Sequence, residues 1–324
     1  MHSPIIVLAG FGEGGKLPTL ISDENKLPDL PTKPKIGWIH VIAKDVTAAQ
    51  YELVSKYGLR DLEVALSLDP TQTADIHDHN DVLFVEVPMV TRMGNSEQYS
   101  EIGIFLTKSW LISISIDDDP IVRKRFSQWM LEPLPGKEVA AGILYGLLDS
   151  IVDSYFPIAD AMQEEMSDIE DRLYDGTTDQ IREALEHKRR LLLLRRKIAP
   201  VRDVVNSLLR RNHDLIPSKL WPYFHDLFEQ VARTLDLIDL SRDMLSSMLD
   251  AHLTIASNRL NEVMKFLAVI STILMSISVI SGVYGMNFKY MPELLQTWGY
   301  PATLGLMVFV SFMEYLFFRR KGWI

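Results

Sequence analysis

The longest apolar stretches of the chain lie close together near its C-terminal end. Residues 266–288 form 23 consecutive positions without a charge, and residues 294–313 form another 20. A helix needs about 20 apolar residues to cross the hydrocarbon core of a bilayer, and both stretches exceed the usual length of a buried helix in a soluble protein. The pattern therefore predicts two membrane-spanning helices, at about 263–284 and 300–318, joined by an extracytoplasmic loop at 285–299.

Basic residues flank the two predicted spans at their distal ends. Arg259 and Lys265 precede the first span, and a cluster of Arg319, Arg320 and Lys321 follows the second. The connecting loop holds only a single Lys and a single Glu. Since short cytoplasmic segments are enriched in Lys and Arg, the chain is predicted to be a multi-pass protein of the cytoplasmic membrane with both termini in the cytoplasm.

Shorter apolar runs before residue 137 predict a mixed α/β domain. The helical spacing of apolar residues at 46–57 and 59–68 predicts two helices. The last two strand-like runs are separated by only a few residues, which predicts an antiparallel hairpin. Runs with the length and composition of strands occupy residues 5–9, 36–42, 82–87, 102–106 and 111–116.

Three long helical stretches follow, at 138–174, at 178–211 and from 217 into the first span. No Gly or Pro lies between Pro222 and Gly282, so a continuous helix would be on the order of 90 Å long. The predicted fold class is an α+β membrane protein. Its regions are a cytoplasmic α/β domain at 1–136, a helical stalk at 137–262 and a transmembrane region at 263–324.

Apolar side chains along the stalk, such as Leu235, Ile238 and Leu245, need neighbours, because a lone helix cannot bury them. Homo-oligomerisation supplies such neighbours, and coverage by the two preceding helices of the same subunit is the alternative.

The composition excludes several function classes. With 43 acidic and 33 basic side chains and a net charge of −10, the chain lacks the basic surface of a nucleic-acid-binding protein and suits cations. It has no cysteine, which excludes disulfides and thiolate zinc sites, and its first residues do not resemble a secretion signal. We expect no enzyme, because the sequence has no Ser/His/Asp motif, no complete nucleotide-binding loop and no HExxH motif.

The segment between the spans reads Tyr-Gly-Met-Asn-Phe at 284–288 and Met-Pro-Glu-Leu at 291–294. These strings resemble the signature and the loop of the CorA family of magnesium channels. The resemblance extends from about residue 258 to the C-terminus, and more loosely back to 151–153. It implies a homopentameric funnel that conducts Mg²⁺ through a central pore and is gated by cytoplasmic Mg²⁺, with Co²⁺ or Ni²⁺ as surrogate ions.

The same resemblance implies that Gly285, Met286 and Asn287 form the selectivity filter. A ring of neutral oxygens suits hydrated Mg²⁺, which releases its waters reluctantly; for Asn287, a helix cap is the alternative. Residues three or four apart share one face of the first span, where small side chains permit close approach and Met and Leu rings oppose ion passage by dewetting. The predicted pore-lining residues are Asn261, Met264, Leu267, Ser271, Met275, Ser278 and Gly282.

Charged residues near the membrane carry further predictions. Glu293 is the only acid of the connecting loop and is predicted to attract cations, with a solvated loop charge as the alternative. Arg319, Arg320 and Lys321 resemble the inner basic ring of the family. Glu314 is interpreted as snorkelling or pairing with Arg319 or Arg320.

The resemblance also implies a regulatory Mg²⁺ site between the soluble domains of neighbouring subunits. Asp226 occupies the stalk position of one carboxylate. The family's Leu-Glu-Asp string is replaced by Ala-Leu-Ser at 65–67, so Asp69 is the substitute candidate for the second half.

Two polar segments look like motifs but favour simpler interpretations. The glycine-rich residues 10–16 are predicted to form a hairpin turn and not a phosphate loop, because Lys16 is followed by Leu17 where Ser or Thr is needed. A second segment offers possible transition-metal ligands, but we favour a solvated turn before a strand. It contains Asp75, His77, Asp78, His79 and Asp81.

Two other functions stay open at the level of sequence. A zinc transporter of the same superfamily shares the architecture, although the Met-Pro-Glu-Leu loop favours magnesium. A membrane-tethered oligomeric sensor would show no ion flux.

Overall fold

The computed structural model describes most of the chain and divides it into two compact units, Met1–Ser246 and Ser247–Ile324. The described residues are 5–12, 19–20, 27–30, 36–66, 69, 73–79, 81–94, 96–131, 139–173, 178–210, 214–289, 291–292 and 296–323.

A seven-stranded sheet forms the centre of the first unit, with strand order β2-β1-β3-β7-β6-β5-β4. Strands β3 and β7 run parallel, and the other neighbouring pairs run antiparallel, which confirms the predicted hairpin between β6 and β7. The strands are β1 (Ile5–Gly12), β2 (Thr19–Leu20), β3 (Ile36–Ala43), β4 (Asp75–His79), β5 (Val82–Met93), β6 (Ser96–Leu106) and β7 (Trp110–Ser115).

Helices cover both faces of the sheet. On one face, Leu53 of the first helix shares a core with Phe84 and Phe105; on the other, Leu147 shares a core with Ile104. The helices are α1 (Val46–Tyr57), α2 (Asp61–Leu66), α3 (Pro120–Leu131), α4 (Ala140–Asp153), α5 (Tyr155–Leu173), α6 (Thr178–Arg210), α7 (Trp221–Tyr284) and α8 (Gly299–Arg320). The result is a three-layer domain of the predicted mixed α/β class.

The ends of α1 place α2 against the sheet. The Asp45 side chain accepts a hydrogen bond from the Ala48 amide at 3.1 Å and caps the start of α1. At the other end Gly58 adopts φ 64°, and its amide bonds Val54 O at 3.0 Å. Such a left-handed residue ends a helix and lets the chain turn at once into α2.

Ion pairs join α6 to strand β6. Arg190 binds both carboxylate oxygens of Glu97 and also reaches Glu165 at 2.7 Å. Lys197 lies 2.6 Å from Glu101, whose side chain is nearly buried. Partly buried pairs of this kind fix the register of a helix on a sheet, because loss of one partner leaves an uncompensated charge.

The same region holds a buried carboxyl that has no ion pair among the described residues. Burial and, to a smaller extent, the nearby charge of Glu101 together raise the pKa of Glu86 to about 8. Burial also raises the pKa of Glu101, to about 7, in spite of its bond to Lys197. We conclude that Glu86 is largely protonated at neutral pH.

Several elements differ from the sequence-based expectations. The segment predicted to be a solvated turn is strand β4, which pairs antiparallel with β5 along its whole length, so that prediction was wrong. Helix α3 was not predicted, and the stretch at 138–174 contains a break at Ser154 between α4 and α5. Residues 10–12 of the glycine-rich segment belong to β1, which pairs antiparallel with β2, and residues 13–16 lie outside the described residues.

Helix α7 is continuous over 64 residues, which confirms the predicted long helix. Within the first unit its face at Leu235, Ile238 and Leu245 is at most 5% exposed. Helices of the same chain therefore cover these three positions, whereas Met244 of the same stretch is 39% exposed. The cover within one chain is thus partial, and homo-oligomerisation stays a prediction. Farther along, in the second unit, Leu253 and Leu260 are exposed.

Candidate ion pathway and cation-sensing cluster

Two helices of the structure are long and apolar enough to cross a membrane, the C-terminal part of α7 and α8. In the most apolar window of each, only 6% of the residues are buried. A core helix of a soluble protein would be mostly buried, so the exposure of these windows agrees with contact to lipid or to further subunits.

The membrane part of α7 has one face that packs on α8 and one that does not. Val269 is buried, and Ile273, Ser276 and Ile280 are partly buried. These positions lie on one side of the helix at about 100° per residue. The predicted pore-lining residues are all exposed, and six of them lie on the opposite side, namely Met264, Leu267, Ser271, Met275, Ser278 and Gly282. Asn261 lies about a quarter turn away from the packed side, and with Met264 it lines a groove that also includes Trp323.

Small residues on the uncovered face leave room for close approach. A methyl group placed on Gly282 would meet no atom within 4 Å. Ser278 and Ser271 are likewise exposed, about one turn and three turns before Gly282 on the same face. A second helix can therefore approach this face more closely than it could approach a face of large side chains.

The candidate filter begins where α7 ends. The Gly285 amide bonds Ser281 O at 2.9 Å, and the Met286 amide bonds Val283 O at 3.3 Å, so the helical turn closes at these residues. Asn287 follows in irregular backbone; its side chain is exposed and makes no hydrogen bond to the described residues. A side-chain cap by Asn287 is thus not present, and its amide group is available to a ligand. Glu293, the candidate loop acid, lies outside the described residues.

The basic cluster lies at the C-terminal end of α8. The amides of Gly322 and Trp323 bond Arg319 O and Phe318 O, and Gly322 has φ 69°, an arrangement that ends a helix by reversing the chain. Arg319, Arg320 and Lys321 are exposed at this end, and the Lys321 ammonium lies 5.4 Å from the Phe317 ring centre. The three charges therefore lie together at one end of the second span.

Glu314 points toward α7 and not toward the basic cluster. Ser276 Oγ donates a hydrogen bond to Glu314 Oε1 at 2.5 Å, and Glu314 Oε2 is buried without a partner among the described residues. The predicted pairing with Arg319 or Arg320 was wrong. The acid bonds the two membrane helices to each other.

Asp226 lies beside two further carboxylates in the first unit. Burial raises the pKa of both Asp149 and Asp153 on α4, and the nearby charge of Asp226 on α7 raises each further. Asp226 itself is exposed and accepts a hydrogen bond from Gln230 at 3.0 Å. The Tyr145 hydroxyl donates to Asp149 at 3.1 Å. Three acids on two helices are thus close enough to affect one another's charge, although their oxygens do not converge to metal-ligand distance within the one described chain.

A groove adjoins this cluster. It has a volume of about 310 Å³, and its lining includes Asp153, Gln230 and Arg233. The guanidinium of buried Arg125 counteracts the raised pKa of Asp149 and Asp153. It passes so close to Gly146 that a Cβ there would lie 2.0 Å from Nη2, so the glycine is needed for this arrangement.

Within one chain, Asp69 lies near other acids than Asp226 does. Its charge raises the pKa of Glu86 and Glu101 on the sheet, whereas Asp226 lies with Asp149 and Asp153. Asp149 and Asp153 were not among the site residues predicted from the sequence. Their spacing of four residues, which places both on one face of α4, was the signal that could have found them.

Comparisons with known proteins decide the family. The sequence model described as "CorA-like Mg2+ transporter protein" matches residues 34–320. The chain belongs to the CorA family. The cobalt/magnesium transport protein CorA of Thermotoga maritima is 30% identical over 295 residues, which cover 89% of this chain and 83% of that protein. The corresponding protein of Methanocaldococcus jannaschii is 26% identical over 280 residues, or 85% and 87% of the two chains.

Solved structures confirm the CorA fold. The complete structure of the CorA magnesium transporter from Methanocaldococcus jannaschii matches with a TM-score of 0.83 at 23% identity, and covers 98% of this chain and 99% of that one. The cytoplasmic domain of ZntB from Vibrio parahaemolyticus matches with a TM-score of 0.64 at 12% identity over 78% of this chain. Membership of a transporter family also confirms the prediction that this CorA protein is not an enzyme.

Proposed function

We propose that the chain is the subunit of a homo-oligomeric channel, with five copies as the expected number, that transports Mg²⁺ across the cytoplasmic membrane. The observation that carries the proposal is the uncovered face of α7, on which six of the seven predicted pore-lining residues lie opposite the side that packs on α8. Copies arranged with this face inward enclose a path along the helix, and α8 lies outside it. Both termini face the cytoplasm.

The chemistry of the proposed pathway suits a hydrated divalent cation. Asn287 and the Gly285 carbonyl offer neutral oxygens, which contact the water shell of Mg²⁺ without the cost of removing it. The filter offers only oxygen ligands, so Co²⁺ and Ni²⁺ are expected surrogate ions. Met264, Leu267 and Met275 form apolar rings in the assembly, and such constrictions oppose ion passage until they widen and fill with water.

We further propose that Asp226, Asp149 and Asp153 sense cytoplasmic Mg²⁺. Burial and the nearby charge of Asp226 make the charged forms of Asp149 and Asp153 costly, and a divalent cation bound beside them would remove that cost. Asp69 of a neighbouring copy stays the predicted second half of an intersubunit site. Glu293 and the basic cluster at 319–321 stay predictions for the outer and inner ends of the pathway.

The decisive experiment is Mg²⁺ uptake into proteoliposomes that contain the purified chain. We expect uptake by the native protein and its loss in Asn287→Ala, because the ring of amide oxygens disappears. Asn258→Ala is the matched control, since Asn258 is an exposed Asn of α7 outside the proposed pore face. Equal uptake by the native protein and Asn287→Ala would remove Asn287 from the filter.

The same vesicles separate the alternatives. Zn²⁺ uptake driven by a proton gradient, without Mg²⁺ uptake, would assign the chain to zinc transport. Absence of flux of either ion would support a tethered sensor. We expect Mg²⁺ uptake and not zinc transport, because the similarity to ZntB shows the fold alone.

Protease protection tests the sensing cluster. Mg²⁺ is expected to slow proteolysis of the native channel by tying helices together, and Asp226→Asn is expected to lose most of this protection. The matched control is Asp236→Asn, an exposed acid two to three turns farther along α7. Unchanged protection in Asp226→Asn would exclude Asp226 from the sensor without affecting the proposed pore.

A further inference from the structure

Three metal-ligating side chains meet at the edge of the sheet, outside the residues proposed for transport and sensing. They are Glu63 on α2 and His77 and His79 on β4. One ligand atom from each lies within 4.8 Å of the others. This is the segment for which the sequence favoured a solvated turn, and the strand pairing is what gives it a defined geometry.

The pairing of β4 with β5 directs both imidazoles to the same side. His77 and His79 are two residues apart on a strand, so their side chains share one face. They lie opposite Phe84 and Val82 of β5, and both of these belong to the core beneath α1 and α2. The imidazoles therefore face α2, and not the other layer of the domain.

Glu63 supplies the third group from the opposite side of the same space. Its side chain is only 3% exposed, whereas those of His77 and His79 are 34% and 26% exposed. Glu63 Oε1 contacts His79 Nε2 and lies 3.8 Å from His77 Nδ1. The arrangement is closed on the protein side and open to water on the outer side.

A second carboxylate orients one imidazole. Asp75 Oδ2 lies 3.1 Å from His77 Nε2. With the proton assigned to Nε2, this nitrogen donates to Asp75, and the lone pair of Nδ1 points toward Glu63. A carboxylate behind the imidazole, with the other nitrogen directed at the ion, is the usual outer shell of a histidine metal ligand.

We propose that Glu63, His77 and His79 bind a divalent transition-metal ion of the Zn²⁺, Co²⁺ and Ni²⁺ class, with water at the open position. Two imidazole nitrogens and one carboxylate oxygen suit these ions. Mg²⁺ prefers oxygen ligands only, so the site discriminates against the transported ion. Bonds of about 2.0–2.2 Å separate tetrahedral ligands by roughly 3.4 Å, so a bound ion would bring Glu63 and His77 slightly closer, move Glu63 and His79 slightly apart, and tie α2 to β4.

One neighbouring cation opposes binding. Arg60 Nη1 lies 3.4 Å from His79 Nε2. The Arg60 side chain is exposed, so it can move into solvent when an ion takes its place. Its charge nevertheless lowers the affinity of the site, and its removal is expected to raise that affinity.

Equilibrium binding to the full chain in detergent tests the proposal. The protein is stripped with a chelator and titrated with Zn²⁺ in a large excess of Mg²⁺, which occupies sites made only of oxygen. We expect one Zn²⁺ per chain from this site and visible absorption bands of tetrahedral Co²⁺ when Co²⁺ replaces Zn²⁺. His77→Gln and His79→Gln are each expected to weaken Zn²⁺ binding at least about 10-fold and to remove the Co²⁺ bands.

Two variants make the test specific. Asp78→Asn is the matched control, because Asp78 lies between the two histidines but on the other face of β4. The affinity of this variant for Zn²⁺ is expected to equal that of the native chain. Arg60→Gln is expected to bind Zn²⁺ more tightly. The unfolding temperature of each variant without metal shows whether the fold is kept.

Native affinity in both histidine variants, or displacement of Zn²⁺ by the excess of Mg²⁺, would overturn the proposal. The readout needs no ion flux. A failure here would therefore leave the proposed channel untouched, and a failure of Mg²⁺ uptake would leave this site untouched.

Discussion

The sheet of the first unit and the two membrane helices of the second have similar apolar side chains but opposite surroundings. Trp38, Ile39 and Phe105 are fully buried in the sheet layers. In the second unit, Met275 is 69% exposed and Phe309 62% exposed. The side-chain chemistry is nearly the same, so the difference lies in what covers it.

This contrast shows where each region obtains its stability. The sheet closes its core within one chain, since helices lie on both of its faces. The membrane helices bury little against each other, which leaves the rest to lipid or to further subunits. Polar groups differ as well: in the sheet layers ion pairs such as Arg190–Glu97 join separate elements, while in the described part of the membrane unit a Ser276–Glu314 hydrogen bond joins the two helices.

The largest effect is expected from a matched pair of Phe substitutions. Phe105→Ala should destabilise the chain by about 3–5 kcal/mol, because it leaves a cavity beside Phe84, whose ring centre lies 4.9 Å away. Phe309→Ala should change stability by less than about 1 kcal/mol, because its side chain is not enclosed. Thermal unfolding of the full chain in detergent, followed by circular dichroism, measures both. Equal losses would show that α8 is enclosed by a neighbouring subunit at Phe309.

An intermediate effect is expected from the buried carboxyl of the sheet. Glu86 has a folded pKa of about 8 against an ordinary value of 4.5. The folded state therefore binds more protons between these values, so its stability is greatest at low pH and is lost as the pH rises toward 8. Glu86→Gln should flatten this decline and be more stable than the native chain at pH 8 by on the order of 2 kcal/mol.

Denaturant unfolding at pH 5 and pH 8 measures the difference. A residual slope from Glu101 is expected, since its pKa is also raised, to about 7. Asp236→Asn, at an exposed position, serves as the control and should keep the native pH dependence. An unchanged slope in Glu86→Gln would mean that Glu86 is ionised in the folded chain.

The smallest effect is expected in the membrane unit. Ser276→Ala removes the donor to Glu314 and should cost about 1 kcal/mol, the usual range for such contacts between membrane helices. Ser311→Ala removes only a hydrogen bond to Met307 O of its own helix and should lower the stability by only a few tenths of the Ser276→Ala effect. Unfolding temperatures in the same detergent compare the two. Equal effects would remove the Ser–Glu bond from the contacts that hold α7 and α8 together.

Long, strongly patterned segments were predictable from the sequence. The continuous helix through 222–282 follows from the absence of Gly and Pro. The pore face of α7 was chosen from the family resemblance, with spacing showing only which residues share a face, and it stays a prediction. The strands at the centre of the sheet follow from unbroken apolar runs. For the long helix and these strands, a local pattern and the tertiary structure agree.

Other elements depend on tertiary contacts that no local pattern encodes. Strand β4 has alternating acids and histidines, and only its pairing with β5 makes it a strand. Helix α3 is rich in charged residues and is held by Phe126 and Trp129, which pack against Trp38. Likewise, Asp149 and Asp153 lie on an otherwise apolar helix, and their meaning depends on Asp226 of a distant segment.

The two ends of the described sheet have a consequence for the solubility of the folding chain. Strand β2, at one end, is only two residues long, and β4, at the other end, presents charged and imidazole side chains along its length. An exposed sheet edge invites a strand of another molecule to pair with it, and short or charged edge strands discourage this. Replacing the β4 acids by apolar residues would therefore be expected to promote aggregation before it affected transport.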